Sequence, residues 1–145
     1  MIVDHEKWSN IPLLHVYKEE LKNEQVPVVF FLHGFTSAKE HNLHYAYQLA
    51  ERGMRVLLPD AHLHGERHKS LDEIQLSLRF WEIVLTSIED VKTLRSECIN
   101  RQLLSDDTKI ALAGTSMGGI ETLGCLKVYP WVDVAAVMMG SPGYV

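Results

Sequence analysis

Two cysteines in 145 residues are too few for a disulfide scaffold. Cys98 and Cys125 both fall in helical patterns and read as reduced, buried side chains rather than a disulfide or a metal pair. Basic residues are also scarce. Lys and Arg number 14 against 19 Asp and Glu, a net charge of −5, and no cationic cluster stands out. A nucleic-acid partner is therefore not expected. No apolar run is long enough to cross a bilayer, and Val26 to Leu32 is among the longest. The first residues, Met1-Ile2-Val3-Asp4-His5-Glu6-Lys7, lack the basic and then apolar regions of a signal peptide. These absences point to the reducing cytoplasm, with no membrane partner. There is no internal repeat and no low-complexity tract. A composition 46% hydrophobic and 23% charged is that of an ordinary globular chain, read as one domain over residues 1–145.

What is present is a set of short apolar runs separated by helical patterns. Leu13 to Glu19 alternates loosely and reads as an antiparallel edge strand, followed by a polar turn over Glu20 to Gln25. Val26 to Leu32 and Arg55 to Asp60 have no polar alternation, which is the mark of strands buried on both faces in a parallel sheet. Between them Ser37 and Glu40 form an S-x-x-E capping box for a helix that Gly53 ends. Ser70 and Glu73 repeat the box. After it Leu71, Ile74, Leu78, Trp81, Leu85 and Ile88 recur every three or four residues, the apolar face of one long helix, or of two with a break, ending near Asn100. Lys109 to Ala113 and Val132 to Met139 are further strands, with a helix from Met117 to Tyr129 halted by Pro130. The last strand ends in Gly140-Ser141-Pro142-Gly143. Alternating strands and helices predict a doubly wound, mostly parallel α/β sheet with helices on both faces. Ligands in such sheets bind beyond the carboxyl ends of the strands.

Three loops fall at those ends: His33 to Thr36, Asp60 to Arg67, and Gly114-Thr115-Ser116-Met117-Gly118. The last spells G-x-S-x-G between a strand and a helix, which pushes Ser116 into a tight, exposed turn. An exposed hydroxyl there is a candidate nucleophile. The Met117 N–H at the following helix N-terminus and the Phe35 N–H in the His33-Gly34-Phe35 loop are candidate donors to an oxyanion. His33, Gly34, Gly114, Thr115 and Gly118 line the same place, and Phe35, Met117 and Tyr144 hint at an apolar acyl site. Asp60 is a turn residue expected to accept backbone N–H bonds.

In this order the segments resemble the N-terminal part of an α/β-hydrolase. His33-Gly34-Phe35-Thr36-Ser37 together with Leu58-Pro59-Asp60-Ala61-His62-Leu63-His64-Gly65-Glu66-Arg67 is similar to Bacillus-type esterases of the dienelactone-hydrolase and prolyl-oligopeptidase-like branches. The resemblance implies an acyl-enzyme mechanism on small-molecule esters, no cofactor, and a triad running Ser, then Asp or Glu, then His. After Ser116 the only carboxylates are Glu121 and Asp133, neither suitably placed, and the last histidine is His68. The acid and base are therefore expected beyond Val145, making this a partial α/β-hydrolase domain that is inactive alone. The strand 134–139 would then be an exposed edge inviting self-association. His33 in the oxyanion loop is not expected to act as base. His41 and His44 read as solvent-facing or helix-packing residues. Two rival readings remain. His62 and His64 form an H-x-H that could bind zinc in a metal-dependent hydrolase, and the chain could be a non-catalytic interaction module.

Overall fold

The computed structural model describes residues 1–138. Six strands form one sheet: β1 (Ile2–Trp8), β2 (Ile11–Tyr17), β3 (Val28–Leu32), β4 (Arg55–Pro59), β5 (Ile110–Thr115) and β6 (Val134–Met138). Their order across the sheet is β1-β2-β4-β3-β5-β6, with β4, β3, β5 and β6 parallel and β1 and β2 antiparallel. Helix α1 (Leu43–Glu51) follows β3, α2 (Glu73–Ser77) and α3 (Phe80–Asn100) follow β4, and α4 (Met117–Val128) follows β5.

Strand β3 explains why both faces need cover. Its residues alternate between two cores. Val28, Phe30 and Leu32 join Leu13, Leu57 and Leu112 against Val91, Leu94 and Cys98 of α3 and Cys125 of α4. Val29 and Phe31 face the other way, with Val16, Val56 and Leu58 against Ala46 and Ala50 of α1. Each such fully buried side chain contributes about 1.5–3 kcal/mol relative to exposure. Cys98 and Cys125 are free and buried, and burial pushes both thiols up to about 12.

Several expectations shift. Strand β2 is antiparallel as expected but is not the edge: β1 pairs along its whole length. A two-residue turn joins them, with Ser9 and Asn10 both at positive φ (50° and 66°), the backbone a type I′ hairpin requires. The helix after β3 starts later than the Ser37 box implies. A 3₁₀ turn over Lys39–Asn42 intervenes without a side-chain cap, and Ser37 Oγ pairs with His41 Nδ1 instead. The second box is formed by Asp72 and Gln75, not by Ser70 and Glu73; Asp caps as well as Ser and closes both reciprocal bonds.

The larger correction concerns α3. Ile74, Leu78, Trp81 and Leu85 are 63–83% exposed; of the expected stripe only Leu71 and Ile88 pack against the core, while Ile83, Val84, Ser87, Val91, Leu94 and Cys98 are buried. Both stripes have helical spacing, but only the second runs the length of the 21-residue helix. The first straddles the break before Phe80, so it cannot lie continuously on one surface. Strand β6 is the outer strand among the described residues, and Val134 is 61% exposed rather than buried on both faces. Met139, the Gly140-Ser141-Pro142-Gly143 segment and Tyr144 lie outside the described residues.

Candidate active site

The G-x-S-x-G segment is the junction of β5 and α4. Ser116 stands between the last residue of the strand and the first of the helix at φ 57° and ψ −116°, a strained backbone for any residue with a Cβ. The strain is held from both sides. Ser116 N–H donates to the Met138 carbonyl of β6 (3.0 Å), and its carbonyl accepts from the N–H groups of Gly119 (2.8 Å) and Ile120 (3.2 Å). The flanking glycines are required by close approach. A Cβ on Gly114 would lie 2.0 Å from the Gly118 carbonyl oxygen, and one on Gly118 would lie 2.1 Å from that of Leu32. The helix therefore begins directly against the end of β3, and Thr115 completes the half-buried rim.

The loop after β3 faces the serine. A Cβ on Gly34 would lie 3.4 Å from Ser116 Cβ and 4.0 Å from its Oγ. The next residue, Phe35, packs edge-on against His64 and Phe80. Among the described residues, neither the Phe35 N–H nor the Met117 N–H has an acceptor within the chain. Met117 itself is core, 1% exposed beside Ala61, Leu63 and Ile83.

The histidines near the serine are committed to structure. His33 is buried; its Nδ1–H donates to the Gly34 carbonyl (2.8 Å) and its Nε2 accepts from Ala61 N–H (3.0 Å). Burial lowers its imidazole to about 4, so it is neutral. His64 is bound in the same way, with Nδ1–H to the His62 carbonyl (2.9 Å) and Nε2 accepting from Thr36 N–H (2.9 Å). His62 points away, to Glu82 (2.9 Å). The H-x-H pair thus offers no two free nitrogens to one ion. Among the described residues the one metal-like grouping is Asp4, Glu6 and His15 on the β1–β2 hairpin. There His15 Nε2 already accepts from Arg55 Nη1 (2.8 Å), and a guanidinium beside the site repels a cation.

Sequence reasoning foresaw Asp60 as a holder of backbone N–H groups, and it accepts from Lys39 N–H (3.1 Å) and Glu66 N–H (3.0 Å). It missed the partner. Lys39 is 1% exposed, and its Nζ reaches Asp60 (2.7 Å), Glu66 (2.7 Å) and Glu40 (3.2 Å). Burial opposes the charge, but these hydrogen bonds outweigh it and hold the ammonium above its ordinary range. The hydrogen bond from Lys39 holds Glu66 down to about 2. Nothing in the sequence marks Lys39, since one lysine ahead of a helix reads as solvated. The remaining carboxylates are not catalytic partners for an imidazole. Asp133 Oδ2 accepts from Ile110 N–H (2.9 Å) at the amino end of β5. Glu121 is 1% exposed, Oε2 unpartnered, and burial pushes its carboxyl well above the usual range.

Comparison with known proteins finds relatives over nearly the whole of this chain. YitV of Bacillus subtilis, which bears a provisional esterase name, is 50% identical over 143 residues, covering 99% of this chain and 56% of that protein. The esterase YjfP of Escherichia coli is 38% identical over 142 residues, covering 98% and 56%. This chain thus spans little more than half the length of the curated relatives it matches. The crystal structure of TT1662 from Thermus thermophilus superposes with a TM-score of 0.68 at 25% identity, over 94% of this chain and 56% of that one. Residues 23–144 match the family described as serine aminopeptidase, S33. With that match and the elbow-bearing α/β-hydrolase sheet, the chain belongs to the serine aminopeptidase S33 family.

Proposed function

We propose that Ser116 is the nucleophile of a carboxylic-ester hydrolase and that the Phe35 and Met117 N–H groups form its oxyanion hole. The observation that carries this is the strained Ser116 turn lying against Gly34, with the Phe35 and Met117 N–H groups lacking an acceptor among the described residues. Ser116 Oγ attacks the ester carbonyl carbon, and the carbonyl electron pair moves onto the oxygen, where the two donors stabilise it. Collapse expels the alcohol and leaves an acyl-enzyme, which water hydrolyses. Each donor of this kind is worth about 10²–10³ in rate. The Ser116 proton needs a base, and both buried histidines nearby already spend their acceptor nitrogen on backbone N–H groups. The 145-residue chain is therefore expected to hold the nucleophile without its activator. The test pairs two readouts. A fluorophosphonate probe should label this chain slowly at Ser116, as mapped by mass spectrometry, and not label Ser116→Ala. Hydrolysis of p-nitrophenyl acetate should match that of Ser116→Ala. Labelling elsewhere overturns the nucleophile, and turnover abolished by Ser116→Ala overturns the missing base.

For the chain taken alone we also propose association through β6. Among the described residues no strand pairs with its outer side, where Val134 and Val137 are exposed, a template for a second copy. Sedimentation at micromolar concentration should show dimers or larger species, reverting toward monomer in Val134→Lys. A monomeric wild-type chain excludes the association. No geometric observation favours the metal-hydrolase reading.

A further inference from the structure

The loop that presents Phe35 is tied to the loop after β4 at three places. His33 Nε2 takes the Ala61 N–H, Thr36 N–H goes to His64 Nε2, and Lys39 reaches Asp60. The middle tie is unlike the others, because it acts on a strained residue. Thr36 has φ 64°, a left-handed backbone that a β-branched side chain disfavours. Its N–H would turn elsewhere if the loop relaxed, and the peptide joining Phe35 to Thr36 would rotate with it.

We propose that His64 is the positioning residue for the Phe35 N–H: its Nε2 lone pair latches the strained Thr36 amide and thereby fixes the loop that aims Phe35 at Ser116. The inference rests on the proposed oxyanion role of Phe35. His64 is set up for this and little else. The Nδ1–H bond to the His62 carbonyl fixes the tautomer, leaving Nε2 as acceptor, and the Phe35 ring packs on the imidazole edge at 5.6 Å between centroids. The residue is 3% exposed. A latch made from a lone pair fails when that lone pair takes a proton. Burial lowers the His64 imidazole below its ordinary value, which keeps the latch closed at neutral pH. The groups facing it are Asp60, which favours protonation, and His62 and the His33 ring 5.3 Å away, which oppose it when charged.

Nitrogen-15 NMR of the full chain tests the latch directly. A scalar coupling across the hydrogen bond should connect the Thr36 amide nitrogen to His64 Nε2 at neutral pH. It should vanish on acidification with the midpoint at which His64 itself titrates, the Phe35 amide shifting in step. His64→Gln keeps a side-chain acceptor and should retain Thr36 exchange protection within a fewfold, whereas His64→Leu should lose about tenfold or more. Ser116 labelling by fluorophosphonate should slow about tenfold or more in His64→Leu and recover in His64→Gln. A missing coupling, or a Thr36 amide indifferent to His64 titration, overturns the latch. Lost Thr36 protection with unchanged Ser116 labelling overturns positioning and leaves a purely structural bond. If the unaltered chain is not labelled at Ser116, it is the nucleophile reading that fails, and the latch stands or falls on the coupling.

Discussion

Gly118→Ala and Gly114→Ala should each destabilise the chain by more than about 3 kcal/mol, a large share of the roughly 5–15 kcal/mol that holds an ordinary domain folded. The added methyl has nowhere to go. At Gly118 it would lie 2.1 Å from the Leu32 carbonyl oxygen and 2.9 Å from that of His33; at Gly114 it would lie 2.0 Å from the Gly118 carbonyl oxygen. These are backbone atoms of β3 and α4, not flexible side-chain ends, so relief requires lifting the helix off the sheet. Gly34→Ala provides the contrast. Its methyl meets Thr115 carbonyl oxygen at 3.3 Å and Ser116 Cβ at 3.4 Å, a tight fit that a shift of a few tenths of an ångström relieves. Urea denaturation should therefore rank Gly34→Ala well above the other two. A Gly118→Ala protein as stable as the parent would mean that α4 does not start against β3 as described.

Asp60→Ala should cost about 3–5 kcal/mol, because it removes the one fully buried partner of a buried cation along with the acceptor of two N–H groups. Lys39 Nζ would keep only Glu66 and the exposed Glu40, and two backbone N–H groups, those of Lys39 and Glu66, would lose their acceptor. Arg67 donates to the Asp60 main-chain carbonyl, so that tie survives the substitution. Lys39→Met should cost less. It leaves Asp60 still holding two N–H donors, and the half-exposed Glu66 keeps His5. The double variant should lose less than the sum of the two, as for any pair in direct contact. Thermal unfolding of the four proteins measures the coupling. Strict additivity would mean that the ion pair contributes nothing to the fold.

The sequence carried the parallel half of the sheet because β3 and β4 cannot hide their pattern. A run with no polar alternation fits a strand covered on both faces and little else. The elbow was legible for a similar reason, since Gly114 and Gly118 on either side of Ser116 are demanded by approaches of about 2 Å. Where several answers satisfied the same local rule, the sequence did not choose. The segment from Leu71 to Cys98 carries two helical stripes, and only tertiary packing decided that the second became core while the first kept just Leu71 and Ile88 there. Ser-x-x-Glu and Asp-x-x-Gln both cap helices, and the chain used the second before α2. Strand β1 mixes Asp4, His5, Glu6 and Lys7 among its apolar residues, and its half-buried alternation emerges only once it has β2 to pair with. The Lys39–Asp60 pair was invisible because it joins two loops through three dimensions, with no spacing rule to betray it.

The order of the strands also dictates when this site can exist during folding. β1 and β2 close a hairpin between neighbours in the chain, but β3 meets β5 by pairing Val28 with Ile110. Everything from α1 to α3 lies in the loop that this pairing closes, and the entropy lost in closing such a loop must be met before the contact returns anything. Ser116 lies just past the end of β5 and is restrained by β6, which follows later still. The strained turn is thus set only when the longest loop of the sheet has closed. Until then Ser116 belongs to a relaxed chain, free of the backbone strain it carries in the folded sheet.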